Sequence, residues 1–166
     1  MFYGTLSSYI EFPNRGGLDT RFSITLMCWV QPVGQDGPLV HYRDWGVFMW
    51  ILNGKLLYAI SKRSSKQLLS EMVTEVVPAG KWVHVAASYD YNSGINSLYI
   101  NGHLRASQNI GTGYEIATAS QTVLMGSTGS KGKIAEMKVY DVALNESQIQ
   151  TSIIHGNLKK KLCTFS

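Results

Sequence analysis

The alternation of Phe22–Val30 constrains this chain more than any other feature. Phe22, Ile24, Leu26, Cys28 and Val30 fall on one side of an extended backbone, and a period of two over nine residues is a strand signal. Turn signals then recur about every ten residues. Val47–Leu52 and Lys55–Ser61 flank Asn53 and Gly54, a pair favoured in two-residue hairpins because both positions need positive φ. Lys81–Asp90, Ser97–Ile100, His103–Gln108, Thr122–Gly126 and Lys133–Tyr140 read as further strands, so the chain is expected to be all-β, with antiparallel sheets in a sandwich or barrel. One short helix is expected near the C-terminus. Asn145 can cap it, Gln148 occupies the position that reaches back, and Ile149 and Ile153 form an apolar edge. Asn145-Glu-Ser147 is also formally a glycosylation sequon.

Composition narrows the function classes. The 166 residues, 45% of them apolar, suit one domain with a substantial core. Uncharged stretches such as Phe22–Gln35 are broken by polar residues and Pro well short of a span, so no membrane insertion is expected. No lysine-flanked apolar leader stands at Met1. Fifteen Lys and Arg against eleven Asp and Glu give +4, scattered except at Lys159–Lys161. Nucleic-acid binders concentrate such charge on one face, so no nucleic-acid partner is expected. The reading is one domain over 1–158 and a basic, solvated C-terminal tail over 159–166. Cys28 and Cys163 are too few for a disulfide framework or a zinc site. Cys28 reads as a buried thiol, and pairing between the two is left open.

Several motifs stand in a telling order. Phe22–Thr25 leads to Trp29–Pro32, then come Gly80–Ala86, Leu98–Gly102 and Gly132–Tyr140 with Ala143 and Leu144. This series resembles the laminin-G-like jelly-roll family, within the group that also holds legume-type lectins, pentraxins and laminarinase-type glucanases. Phe2–Phe12 fits that family's first strand. The resemblance covers residues 2–154 and implies a two-sheet jelly roll. It implies scaffold roles for Trp82 and Val83–Tyr89, which would fill the space between the sheets, for Gly102 and Gly132 at tight turns, and for His84 as a hydrogen-bonded structural residue. It also implies an extracellular location.

The family's enzymes and metal binders carry chemistry that this chain departs from. Its glucanases resemble one another in a Glu-x-Asp-x-x-Glu strand motif that is missing here. Glu71 and Glu75, the nearest carboxylate pair on one strand, would stand roughly 13 Å apart, too far for either standard glycosidase mechanism. Catalysis is therefore not expected. Pentraxins bind calcium through an Asp-Asn pair and a late acidic loop. Here Asp44 is followed by Trp45, Gly126–Gly132 has no carboxylate, and Ala135 stands where the family has Asp. No cofactor is expected, and a calcium site built on Asp90 or Glu136 with backbone carbonyls is left open.

Binding chemistry is better represented. Sugar sites pair an aromatic face with groups that hydrogen-bond hydroxyls, on a surface whose loops are held by a rigid scaffold. His41–Trp45 has that composition, which makes Tyr42, Arg43, Asp44 and Trp45 candidate site residues. If Val47, Met49 and Ile51 face the core, Phe48 and Trp50 face outward and extend the aromatic surface; the opposite register buries Trp50. Tyr91 and Asn92, with Asn101–His103, offer a second polar-aromatic cluster. The expected function is a non-catalytic lectin whose partners are glycans or glycoconjugates, assembled as a homo-oligomer for avidity, with Cys163 a lesser route to pairing. The alternative is an extracellular adhesion module of a larger protein.

Overall fold

The computed structural model describes every residue except 4, 6, 7, 35, 121, 128, 156–162 and 166, and at 155 and 163–165 the backbone alone. In chain order the first strands are β1 (Phe2–Tyr3), β2 (Tyr9–Pro13), β3 (Ile24–Pro32), β4 (Gly37–Tyr42), β5 (Val47–Leu52), β6 (Lys55–Ser61) and β7 (Leu68–Val76). They are followed by β8 (Val83–Tyr89), β9 (Ile95–Ile100), β10 (His103–Asn109), β11 (Thr122–Gly126), β12 (Lys131–Tyr140), helix α1 (Glu146–His155) and β13 (Cys163–Phe165). The first sheet runs β1-β12-β3-β8-β9-β10 with β13 also on β12, and the second runs β2-β11-β4-β5-β6-β7. All the pairings are antiparallel. The jelly-roll sandwich expected from the sequence is the fold. The single first strand is instead two: β1 joins one sheet and β2 the other, so the N-terminal segment bridges the layers.

Period-two alternation fills the space between the sheets. Ile24, Leu26, Cys28 and Val30 from β3 and Val83, Val85, Ala87 and Tyr89 from β8 face inward. They meet Val47, Met49 and Ile51 of β5 and Leu56, Tyr58 and Ile60 of β6. Each such side chain contributes about 1.5–3 kcal/mol on burial. Phe22, read as the first inward residue of this series, lies outside β3 and is exposed, its ring set edge-on to Tyr91 at 5.1 Å. Trp82 is likewise no core filler, being 43% exposed. It precedes β8 and has the parity of His84, which belongs to the outward face.

The two outer faces are treated differently. On the first sheet, α1 lies over Met27, Ala86, Tyr99 and Tyr140, docking with Leu144 and Ile149 and flanked by Val142 and Ile153. Its start is a reciprocal capping box: Gln148 N donates to Asn145 Oδ1, and Asn145 N donates to Gln148 Oε1, both at 3.0 Å. Beneath the helix, buried Lys138 donates from Nζ to Ser152 O and Oγ at 3.3 Å. His84 is structural, but its bonding is through the backbone, with N donating to Asn101 Oδ1 at 3.0 Å; its ring packs edge-on to Trp29. Gly102 and Gly132 have φ of 78° and 141°, and a Cβ there would strike Gln150 and the Gln31 carbonyl respectively. No helix among the described residues is long and apolar enough to cross a membrane.

Residues 159–166, read as a tail, include β13, whose backbone pairs with Met137–Val139. Lys159–Lys161 and the Cys163 thiol lie outside the described residues. Cys28 is free and wholly buried, and burial pushes its thiol up to about 12. A thiolate is the reactive form, so iodoacetamide at pH 8 is expected to leave Cys28 unmodified in native protein and to alkylate it in denaturant. Peptide mass mapping checks this, and native alkylation at Cys28 would contradict the packing.

Candidate functional site

The outer face of the second sheet carries no helix among the described residues, and the aromatic residues gather there. In β5, Val47, Met49 and Ile51 face the core while Phe48 and Trp50 face outward, which settles the register in favour of an aromatic surface. His41 of β4 pairs with Phe48 on one side and with Leu124 of β11 on the other, so its ring shares that face. Trp45 completes the group. Its N–H closes the β4–β5 turn on Tyr42 O at 2.8 Å, and its left-handed backbone, φ 56°, turns the side chain back over the sheet. The indole lies flat on the His41 imidazole, with centroids 4.2 Å apart and planes 5° apart. It also stacks near Trp50 at 5.4 Å and 28° and meets Phe48 edge-on at 5.7 Å. Despite these contacts Trp45 stays 43% exposed.

Beneath this indole the polar chemistry is unfinished. His41 is only 3% exposed, and its ring nitrogens make no hydrogen bond of full strength. The buried Nε1 of Trp50 has no partner. Burial lowers the His41 pKa, opposed by a weaker hydrogen bond with the Tyr42 backbone, so the uncharged ring is favoured. At the rim, Lys66 Nζ lies 3.3 Å from Asp44 Oδ2 and Arg43 Nη1 lies 3.6 Å from Glu11 Oε1. These pairs are solvated and contribute little stability. They leave a donor and an acceptor beside the ring.

The remaining sequence candidates divide. Trp45 and Trp50 are brought into contact, and Arg43 and Asp44 precede Trp45 in the same exposed turn. Tyr42 is not part of the surface: it is fully buried, with Oη donating to Leu18 O at 2.7 Å, because it is the last residue of β4 and its parity points inward. Tyr91 is half-buried against Phe22 and the core, and Asn92 sits in a turn closed by Asp90. Their expected partners Asn101–His103 lie at the other end of β8 and β9. Asn101 N bonds His84 O near the start of β8, whereas Tyr91 follows its end, so seven strand residues, roughly 20 Å, separate the two parts. No second cluster forms.

The carboxylates named for calcium are also placed. Asp90 accepts from Ser93 Oγ at 2.7 Å and from the N–H groups of Asn92 and Ser93 at 3.3 Å. Burial alone would raise its pKa, but these bonds hold it below the usual value. Glu136 stands on the bulge of β12 with φ 50°. Among the described residues no three His, Cys, Asp or Glu side chains gather to hold a metal. A wide apolar groove lined by Phe2, Tyr9, Ile10 and Met125 opens along the β1–β2 edge and holds none of the candidates.

A polar network that the sequence does not reveal anchors the turn carrying Trp45. Ser61 N donates to Gly46 O, Ala117 N to Ser61 O, and a Cβ on Gly46 would collide with Ala117. Next to Ala117, Thr118 Oγ1 donates to Asp19 Oδ1 at 2.8 Å. Arg63 grips the same carboxylate with two bonds of 2.6 and 2.8 Å, and Asn14 Nδ2 binds Thr118 O and Ser120 O. These partners come from four separate loops, and no local spacing announces them.

The fold is a two-layer β sandwich, with aromatic rings displayed on the open face of one sheet. The chain belongs to the family described as the concanavalin A-like lectin/glucanases superfamily, laminin-G type, matched over residues 4–150. No curated protein matches it. Among solved structures it is similar to a putative carbohydrate binding protein from Bacteroides ovatus, at 18% identity and a TM-score of 0.68, over 86% of this chain and 43% of that one. It is similar to the binding domain of botulinum neurotoxin serotype G, at 13% and 0.72, over 90% and 41%. It is also similar to the heptameric SAP-like pentraxin of Limulus polyphemus, at 19% and 0.66, over 91% and 79%. The chain thus spans less than half the length of the first two.

The network yields a pH prediction. The Arg63 hydrogen bonds, ahead of an opposing burial effect and with help from Thr118 and the Arg21 backbone, lower the Asp19 pKa. A carboxylate depressed on folding stabilises the protein above its unfolded value, near 4, and that contribution is lost as pH falls through the folded value. Asp19 and Arg63 are 26% and 23% exposed, so Asp19→Asn is expected to cost about 1–3 kcal/mol at pH 7. The cost should shrink toward zero near pH 2, as read by urea denaturation at both pH values. An equal loss at both would place the effect outside ionisation.

Proposed function

We propose that this domain is a non-catalytic lectin that binds glycans on the outer face of its second sheet, with the Trp45 indole as the contact surface. The observation that carries the reading is the aromatic group His41–Trp45–Phe48–Trp50 left open on that face and rimmed by Arg43 and Asp44. An indole face covers the C–H side of a pyranose, while a guanidinium and a carboxylate donate to and accept from its hydroxyls. Similarity to a putative carbohydrate binding protein and to a neurotoxin binding domain supports the reading at the level of fold. The location proposed is extracellular. A shallow single site binds weakly, so we propose self-association that displays several copies, and the heptameric pentraxin is a neighbour of that kind.

A second reading, an adhesion module within a longer protein, draws on one observation: the chain matches less than half of two of its structural neighbours. The readings part on a glycan array. A lectin gives saturable, sugar-competed signals, whereas a blank array over neutral and acidic glycans rejects it. For any glycan bound, Trp45→Ala is expected to weaken affinity by about 1–3 kcal/mol, the range for an aromatic anchor, with the β fold retained in the circular dichroism spectrum. Calorimetric titration measures this, and undiminished affinity places the site elsewhere.

A further inference from the structure

Asn145-Glu-Ser147 is the one Asn-x-Ser/Thr sequence in the chain, and the lectin reading makes no use of it. We propose that Asn145 is an acceptor for an N-linked oligosaccharide, and that the occupied residue keeps its place as the cap of α1. The inference goes beyond the lectin reading and draws on the extracellular location proposed with it, since this modification belongs to chains that pass through a secretory lumen.

The cap and the modification use different atoms of one side chain. Asn145 and Ser147 are both exposed. Asn145 Oδ1 accepts from Gln148 N at 3.0 Å and from Ser147 Oγ at 2.9 Å. Nδ2, on the other side of the same planar amide, makes no hydrogen bond among the described residues. Glycosylation substitutes Nδ2, and the product is still an amide, so Oδ1 remains an acceptor. The backbone of Asn145 is bound to Gln148 Oε1 and Ile149 N, and neither bond involves Nδ2. The carboxylate of Glu146, between the two sequon residues, is held on β10 by Leu104 N at 3.1 Å.

Capping alone does not call for these two residues. Asn, Asp and Ser cap about equally well, and Asp adds a charge that a helix start favours. Asn is the one of the three with a nitrogen to modify. The Ser147 hydroxyl reaches nothing beyond Asn145 Oδ1, so the fold gains little from it. In the transfer, Nδ2 attacks the anomeric carbon of a lipid pyrophosphate-linked oligosaccharide. The bond from that carbon to the pyrophosphate oxygen breaks, the lipid pyrophosphate leaves with the electron pair, and the amide proton passes to a base of the transferase. The transferase meets an extended chain, and the fold decides whether the product is accommodated. Here α1 lies on the outer face of the first sheet and the rings lie on the outer face of the second. A glycan at Asn145 therefore leaves the proposed binding face clear, and its bulk over the start of α1 directs self-association to other surfaces.

The test expresses the full chain behind a cleavable secretion leader in insect cells, as wild type, Ser147→Thr and Ser147→Ala. The leader supplies entry to the lumen, so the outcome depends neither on the native location nor on sugar binding. Peptide mass mapping is expected to find one oligosaccharide on Asn145 in wild type and Ser147→Thr and none in Ser147→Ala. Peptide N-glycosidase should remove it and leave an aspartate at that position. The retained cap predicts further that the glycosylated protein melts no lower than Ser147→Ala. Mapping of wild type decides the acceptor even where a variant fails to fold, and protein held in the membrane fraction is mapped in the same way. A bare Asn145 in wild type overturns the acceptor. A glycosylated protein that melts below Ser147→Ala overturns the shared cap. A blank glycan array from protein with Asn145 occupied rejects the lectin and leaves this site standing.

Discussion

Every strand in a sandwich sends half its side chains away from the shared core, and the fate of those outward residues organises this molecule. On the first sheet they meet Ile149 of α1 and Leu144 just before it, which bury Met27, Ala86 and Tyr140. On the second sheet no described helix does so, and the chain covers its own surface with a turn. Leu57 and Ala59 of β6 point outward yet are buried, because Phe48 and Trp50, their cross-strand partners, lean over them. The second face is therefore a thin apolar layer topped by rings. One sheet is packed on both sides; the other, among the described residues, has one side open to solvent.

That contact surface needs a fixed base, and the base is polar. The β4–β5 turn leans on Ala117 through Gly46, and the loop bearing Ala117 is held by Thr118, Asp19 and Arg63. A bidentate guanidinium–carboxylate pair fixes orientation as well as distance, which suits a junction of loops better than apolar packing would. The rings above are thus placed by a network of fixed hydrogen bonds at the base of their turn. Such a base suits a recognition site, which gains from preorganised backbone.

The sequence made some of this legible and concealed the rest for identifiable reasons. β5 and β6 were readable to the residue because strict alternation meets an Asn-Gly turn, and α1 because Asn145 and Gln148 cap it. The fold followed from motifs in order. β4 is opaque: Pro38 and a bulge before Val40 place both Leu39 and Val40 in the core, so period two is lost and Tyr42 looks like a loop residue. β7 is an edge strand with Ser70 and Thr74 facing inward and Val73 outward, which blurs its apolar pattern. Within the site, Arg43, Asp44, Trp45 and Trp50 were visible as composition. Their union with His41 was not, since it depends on a cross-strand pair and on a turn angle. Tyr91 and Asn101 misled because nearness in sequence across a hairpin becomes distance when each sits at an opposite end.

The conformation of Trp45 argues that this surface is more than leftover sheet. A side-chain-bearing residue in the left-handed region gives up roughly 1–2 kcal/mol relative to glycine, and Gly46 stands one position away. A turn of equal reach with the glycine in the left-handed place would avoid that cost and direct no ring over His41. The indole recovers part of the loss by stacking, yet much of it faces water, where a large apolar ring contributes nothing to folding. Local strain and exposed apolar area thus coincide at one residue. The strain is fixed in the backbone of the turn, and its return is the position of the ring.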